Sequence, residues 1–349
     1  MKKIRVLVVD DSAFARKVLR QVLSRSSNIE VVGTAHDGLD ALERIVELTP
    51  DVITLDLVMP NLDGIGVMHA LKKLEGVPVP RVVVVSMTDT QGDLAIGALR
   101  LGAVDMVQKP TSLANDRLYE LADELTRKVE AAATARVRYG RSLADDLPRS
   151  SLPLSVPTTP PRHQLVVVGA STGGPQAVSM LLAALPADFP VPIAVVVHIP
   201  PGFSQSLAEH LDRDCQIAVQ EASDGLQLKP GLAVLARAGM HLAFQQTVSG
   251  YLARVGSAPQ GHLHRPSLDV TLRSAAEVSR GRVLAIVLTG MGSDGLEGAR
   301  AVHQKGGTLL TQTEASSVVY GMPRVVWEDG IATAQASIED MPALLLRYL

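Results

Sequence analysis

Short apolar runs alternate along this chain with stretches whose apolar residues recur at helical spacing. Ile4 to Val9 is such a run, broken only by Arg5, and it ends in Asp10-Asp11-Ser12 before a helical pattern that continues to about Leu23. Val31 to Ala35 predicts a second strand, and Asp37 to Leu48 a helix carrying Leu39, Leu42, Ile45 and Val46 near helical spacing. Val52 to Leu55 predicts a third strand that ends at Asp56, after which Met59-Pro60 turns the chain. Arg81 to Ser86 and Ala103 to Gln108 predict the fourth and fifth strands, separated by a helical stretch from Leu94 to Leu101, and Lys109-Pro110 follows the fifth. Strands alternating with helices imply a parallel sheet with right-handed crossovers.

The pattern then breaks. Leu118 to Val137 reads as a charged helical connector, and Arg141 to Arg162, with Pro148, Pro153, Pro157, Pro160 and Pro161, as an extended Pro/Ser-rich linker. Beyond it the alternation resumes: Leu165 onward is a strand, Gln176 to Leu185 a helix and Ile193 to Val197 a strand ending in His198. Ala218 to Glu221 predicts a short strand. Gly231 to Ala236, His241 to Gln245 and Tyr251 to Val255 read as a hairpin insertion. Ser274 to Ser279 and Leu296 to Gln304 predict helices, Val283 to Leu288 a buried strand, and Thr308 to Thr311 the last strand. The expected organisation is one domain over residues 1–125, a connector and linker over 126–163, and a second, mostly parallel α/β domain over 164–349.

Composition narrows the function. The 349 residues suit two domains, and a hydrophobic fraction of 46% suffices for two cores, filled by aliphatic side chains since aromatics are only 3%. A net charge of −3, without a basic stripe interleaved with aromatics, argues against nucleic-acid binding. The single cysteine, Cys215, excludes a disulfide framework, and the neighbouring Asp212 and Asp214 discourage a thiolate. No apolar run reaches membrane-spanning length and no signal-peptide pattern opens the chain, so a soluble cytoplasmic monomer is expected, without membrane insertion.

The second half is organised around L-V-V-V-G-A-S-T-G-G-P, Leu165 to Pro175. Strand, tight turn and helix place Ser171 at the carboxyl end of a buried strand, where open α/β sheets bind ligands. Gly169 to Gly173 spells G-x-S-x-G, a turn associated with an exposed serine hydroxyl. A dinucleotide fingerprint is the rival, but it needs glycine where Ser171 stands and a carboxylate where His198 stands. Val283 to Leu288 runs into T-G-M-G-S-D-G, which adds Asp294. A serine hydroxyl needs a base, histidine serves near neutral pH, and a carboxylate fixes the imidazole tautomer. Backbone N–H groups around Met291 suit a developing oxyanion, with Thr172 beside the serine. On position alone Asp294 reads equally well as the cap of the helix that begins at Leu296. His262 and His264 form an H-x-H pair without a third ligand at usable spacing and are expected on a surface loop.

In the first half, Asp10, Asp11, Asp56, Ser86 and Lys109 all fall at carboxyl ends of strands. Three gathered carboxylates are best tolerated around a hard divalent cation such as Mg2+, and a hydroxyl and a lysine complete a phosphoryl site with Asp56 as acceptor. Singly, Asp10 or Asp11 reads as a helix cap and Lys109 as a surface charge.

With M-P-N-L-D-G from Met59 to Gly64, these residues resemble a response-regulator receiver domain, which implies a flavodoxin-like fold of strand order 2-1-3-4-5. The resemblance implies magnesium at Asp11 and Asp56 with the Val58 carbonyl, phosphorylation at Asp56, and support from Ser86 and Lys109. Met106 stands where receivers often carry an aromatic switch residue. G-A-S-T-G-G-P, H-I-P-P-G-F (His198 to Phe203), H-R-P-S-L-D-V (His264 to Val270), T-G-M-G-S-D-G and A-S-S-V-V-Y-G-M-P-R (Ala315 to Arg324) resemble the catalytic domain of chemotaxis protein-glutamate methylesterases. That resemblance implies Ser171 as nucleophile, His198 as base, Asp294 as orienting acid, and Arg265-Pro266-Ser267 along the cleft. Two stretches depart from the family pattern: Ala236 to Gly239, and Gln312-Thr313-Glu314. The implied function is phosphorylation-activated hydrolysis of glutamate methyl esters on chemoreceptors, with deamidation of particular glutamines. A histidine kinase is the implied partner, and the esterase reaction is expected to need no cofactor. The alternative is an esterase output acting on another substrate.

Overall fold

The computed structural model describes residues 2–109, 115–136 and 160–349, without the side chains of 88–91 and 115–121. It divides into two compact units, Met1–Ser142 and Leu143–Leu349. Pro110 and the expected linker as far as residue 159 lie outside the described residues.

In the first unit the chain runs β1 (Ile4–Val9), α1 (Ala13–Leu23), β2 (Ile29–Ala35), α2 (Gly38–Leu48) and β3 (Val52–Leu55). It continues through α3 (Gly64–Leu71), β4 (Arg81–Ser86), α4 (Thr88–Arg100), β5 (Asp105–Gln108) and α5 (Asn115–Thr134). The sheet order is β2-β1-β3-β4-β5 with every pairing parallel, as the alternation requires. Val6 to Val9 and Val82 to Val85 are buried, the mark of strands covered by helices on both faces. Helix α3 has no counterpart in the sequence pattern, because its two glycines weaken intrinsic propensity. Asp63 caps it by accepting the Gly66 N–H at 2.7 Å, and burial of Val67, Met68 and Leu71 holds it.

The segment expected as a connector from residue 126 is instead the second half of α5, which packs on β3, β4, β5 and α1. Its charges hide a helical stripe of Ala122, Leu125, Val129 and Ala132, all buried. Lys128 completes the attachment, donating to the Met106 carbonyl at 2.6 Å and pairing with Asp105 at 3.0 Å and Glu124 at 2.9 Å. Lys128→Ala leaves Asp105 buried beside an empty space. We expect it to cost the first unit roughly 3–5 kcal/mol, read in urea unfolding of the whole chain as an earlier first transition with the second unmoved.

The second unit begins with β6 (Leu165–Ala170), α6 (Gly174–Ala183), β7 (Ile193–Val197), α7 (Ser204–Asp214), β8 (Ala218–Glu221) and β9 (Gln227–Leu228). Next come β10 (Leu232–Leu235), β11 (His241–Thr247), β12 (Gly250–Gly256), α8 (Leu268–Val278), β13 (Val283–Val287) and α9 (Leu296–Gln304). The chain closes with β14 (Thr308–Gln312), α10 (Met322–Glu328), β15 (Ala334–Ala336) and α11 (Met341–Tyr348). Seven strands form a parallel sheet of order β15-β14-β13-β6-β7-β10-β8.

Two expectations are corrected here. The run at Gly231 to Ala236 is not part of the hairpin: β10 lies inside the main sheet between β7 and β8, and all four of its residues are buried. A continuous apolar run belongs to a doubly covered strand, whereas β11 and β12 carry exposed positions, pair antiparallel, and add β9 to make a separate small sheet. Thr308 to Gln312 is not the last strand either, since β15 pairs beyond it. The topology sets the site. From β6 the chain moves to β7 on one side and later returns to β13 on the other, so β6 lies at the switch point where crevices open at carboxyl strand ends.

Candidate functional site

Ser171 follows β6 directly. Its N–H donates to the Thr289 carbonyl at 3.0 Å, and its own carbonyl accepts from Gly174 N at 2.6 Å, closing the turn. Gly290 is required by close approach: a Cβ there would lie 2.8 Å from the Ser171 Cβ and 2.5 Å from the Met322 sulfur. Gly173 has φ +75°, and a Cβ there would meet Val318 at 2.6 Å. Thr289 sits buried beneath the turn, its hydroxyl 3.0 Å from the Thr172 carbonyl and accepting Val319 N–H at 3.0 Å. The Thr289 N–H donates in turn to Gln312 Oε1 at 2.7 Å.

His198 follows β7, and its N–H donates to the Ala170 carbonyl at 3.1 Å, which seats it beside the Ser171 turn. Its Nε2 lies 2.8 Å from Asp294 Oδ2, while Nδ1 is buried without a hydrogen-bond partner among the described residues. Asp294 follows β13 but does not cap α9. It accepts from the start of α8 instead: Leu268 N at 2.7 Å, the Ser267 hydroxyl at 2.8 Å and Asp269 N at 3.1 Å. Asp269 in turn accepts from Gly295 N at 3.0 Å and Gly298 N at 2.7 Å at the start of α9. The two helices therefore exchange carboxylates, each anion at the positive end of the other helix. Burial alone would raise the Asp294 pKa, but His198 and the α8 donors outweigh it and hold the carboxyl well below the usual range. Burial pushes Asp269 up, and the nearby Asp294 charge adds to the rise. An ionised Asp294 accepts a proton-bearing Nε2, so the lone pair of a neutral His198 sits on Nδ1.

Thr172 is buried in the turn, and Met291, half-buried, follows Gly290. The Met291 N–H makes no hydrogen bond among the described residues. Arg265 is exposed, its guanidinium 3.2 Å from Gln260 Oε1 and its carbonyl accepting Gly239 N at 2.9 Å. That bond ties the divergent Ala236 to Gly239 loop to the segment before α8. His264 lies half-exposed on the loop before α8, as expected, and its ring stacks on His198 with centroids 4.1 Å apart and planes 14° apart. His262 meets the buried His241 edge-on at 5.5 Å.

The second cluster lies in the first unit. Carboxylate oxygens of Asp10, Asp11 and Asp56, at the ends of β1 and β3, fall within 4.8 Å of one another. Lys109, past β5, sits 2.7 Å from both Asp10 and Asp56. Burial raises the Asp56 pKa, opposed by Lys109. Burial by itself would lower Lys109, but Asp10 and Asp56 hold it above its ordinary value. Gly64 permits the loop after Asp56, since a Cβ there would lie 2.4 Å from the Asp56 carbonyl. Val58 is exposed, its N–H 3.4 Å from Asp56 Oδ1. Ser86 is buried at the end of β4, and Met106 is buried in β5. Hard oxygen donors in this number suit a divalent cation, so the residues fit magnesium.

Residues 166–345 match the family model described as CheB methylesterase, and residues 6–122 match the response regulator receiver domain. The protein-glutamate methylesterase/protein-glutamine glutaminase 5 of Myxococcus xanthus is 53% identical over 346 residues, 99% of this chain and 98% of its own. The chain belongs to the CheB methylesterase family. The Thermotoga maritima protein-glutamate methylesterase/protein-glutamine glutaminase is 40% identical, over 99% of this chain and 98% of its own. The crystal structure of a Thermotoga maritima CheB methylesterase catalytic domain superposes with a TM-score of 0.52 at 38% identity, over 54% of this chain and 99% of that one. Within the methylesterase unit, sequence reasoning passed over Thr289, Gln312 and the position of His264. Thr289 and Gln312 stood in quoted stretches, and their shared signal was a buried polar residue at a strand end, where no solvent satisfies it.

Proposed function

We propose that this CheB-family chain is a phosphorylation-controlled protein-glutamate methylesterase that also deamidates particular glutamines of chemoreceptor cytoplasmic helices. The observation that carries the reading is the His198–Asp294 pair beside the Ser171 turn, at the carboxyl ends of three adjacent parallel strands. Ser171 Oγ attacks the γ-carbonyl while His198 Nδ1 takes its proton, and Asp294 stabilises the imidazolium. The Met291 N–H, with the Thr172 turn, receives the oxyanion. Collapse of the intermediate breaks the C–O bond, and the imidazolium proton leaves with methanol. Water, deprotonated by the same nitrogen, then attacks the acyl carbon, the C–Oγ bond breaks, and the imidazolium proton returns to Ser171 Oγ as glutamate is released. With a glutamine the leaving group is ammonia. Arg265 lines the cleft.

In the receiver, Asp56 accepts a phosphoryl group supplied through a histidine kinase. Asp10, Asp11, Asp56 and the Val58 carbonyl would hold Mg2+, which offsets phosphoryl charge there. Lys109 already pairs with both Asp10 and Asp56, offsetting one of their two charges, and Ser86 offers a hydroxyl to the phosphoryl oxygens. Among the described residues no helix is long and apolar enough to cross a membrane.

Methanol release from methylated receptor membranes, with and without a small-molecule phosphodonor, tests the reading. Stimulated release supports it; no release under either condition rejects it. Asp56→Asn should keep basal release and lose the phosphodonor response, because an amide cannot form the acyl phosphate. A response that survives in that variant would place the acceptor elsewhere.

A further inference from the structure

We propose that His264 is a positioning residue of the hydrolytic site: its ring roofs the His198 imidazole, holds its plane and stabilises it once protonated. The inference rests on the reading of His198 as the base. Among the described residues, His198 has one side-chain hydrogen bond, from Nε2 to Asp294, and its Nδ1 is open. A single in-plane bond fixes one edge of a ring but leaves it free to rock about that bond. The roof supplies the missing restraint. Two flat rings with centroids 4.1 Å apart and planes 14° from parallel are stacked in van der Waals contact.

The roof is itself anchored to the carboxylate it serves. Next to His264, the Arg265 carbonyl accepts Gly239 N at 2.9 Å. Ser267, three residues on, donates its N–H to His241 Nδ1 at 3.2 Å and its hydroxyl to Asp294 at 2.8 Å. His262, two residues back, packs edge-on against His241. The charged and titratable groups around the stack are thus Arg265 and His262 on the loop, His241 on β11, Asp269 on α8, and Asp294 beyond β13. When His198 takes the serine proton, its positive charge lies between the Asp294 carboxylate at its edge and the aromatic face of His264 stacked on it. Such a face attracts a cation, whereas a cation in the same place repels it. The contribution exists only while His198 is charged, so it belongs in kcat rather than KM.

The test compares three substitutions in the whole chain. His264→Ala removes the roof, His264→Phe keeps a flat aromatic face, and His264→Arg puts a permanent charge over the ring. We expect His264→Ala to lower kcat for methanol release about tenfold with KM within about twofold, His264→Phe to recover most of that loss, and His264→Arg to fall below His264→Ala. A second readout needs no substrate. The 15N relaxation of the His198 ring should report a rigid ring in the wild type and a rocking one in His264→Ala, with the Nε2 proton unchanged in both. An unchanged kcat in His264→Ala, equal losses for His264→Ala and His264→Phe, or a raised KM with kcat intact would each overturn the proposal, the last by making His264 a substrate contact. Should the wild type release no methanol, the assigned reaction fails, while the 15N comparison still decides the roof.

Discussion

Ser171→Ala should fold as the wild type does and lose methanol release by about 10^4-fold or more, the scale seen when an acyl-transfer nucleophile is removed. The structure gives the reason that nothing replaces it. Gly290 leaves no side chain opposite Ser171, and a Cβ there would already collide with it. Thr172, the neighbouring hydroxyl, is buried, and its carbonyl lies 3.0 Å from the Thr289 hydroxyl. His198→Ala should cost a comparable amount, and the double variant little more, because nucleophile and base act as a unit. Quench-timed methanol assays on equal amounts of folded protein decide this. Near-wild-type release from Ser171→Ala would move the chemistry to another group.

Asp294→Asn should cost about 10^4-fold in kcat, and it should also weaken the fold, which separates it from Ser171→Ala. Both oxygens of Asp294 accept hydrogen bonds, from His198 and Leu268 on one and from Ser267 and Asp269 on the other. An asparagine offers one oxygen and one NH2, so two donors on one side must face another donor. If the NH2 faces His198, it favours a lone pair on Nε2 and a proton on Nδ1, the wrong tautomer for a base. The stability effect has a definite pH sign. The Asp294 pKa is depressed in the folded state, so its contribution is present above the ordinary value of 3.8 and is lost as pH falls through the folded value. The difference in melting temperature between wild type and Asp294→Asn should therefore be large near neutrality and shrink in acid. A gap that persists unchanged below the ordinary carboxylate range would show that the ionised carboxylate is not what holds α8 to α9. Asp294→Ala gives the same comparison without the amide donor.

The alternation of apolar runs and helical stretches determined two parallel α/β units, because a strand buried on both faces needs helices on both faces and a return crossover. It also placed Ser171, His198, Asp10, Asp56 and Lys109 at the carboxyl ends of strands, since each follows its apolar run directly, and Asp294 in the loop a few residues beyond one. Strand order was legible only through the resemblance to known families in the first unit. In the second, the main-sheet place of β10 was not legible, since local pattern does not say which strand a buried run pairs with.

What the tertiary structure alone decided is partnership. Asp294 is adjacent in sequence to α9 and by position would cap it, yet it serves α8, twenty-five or more residues earlier, while Asp269 serves α9. The charged half of α5 looked like a tether, and its buried alanines, leucine and valine show it to be a wall of the first sheet. His264 reads from sequence as a surface-loop residue, and the packing of its loop lays it on His198. Local sequence fixes which chemistry a residue can perform and on which end of an element it sits. Hydrogen-bond direction, ring stacking and the choice between near and distant helix ends depend on where the chain returns in space, and that is set by burial of the whole sheet.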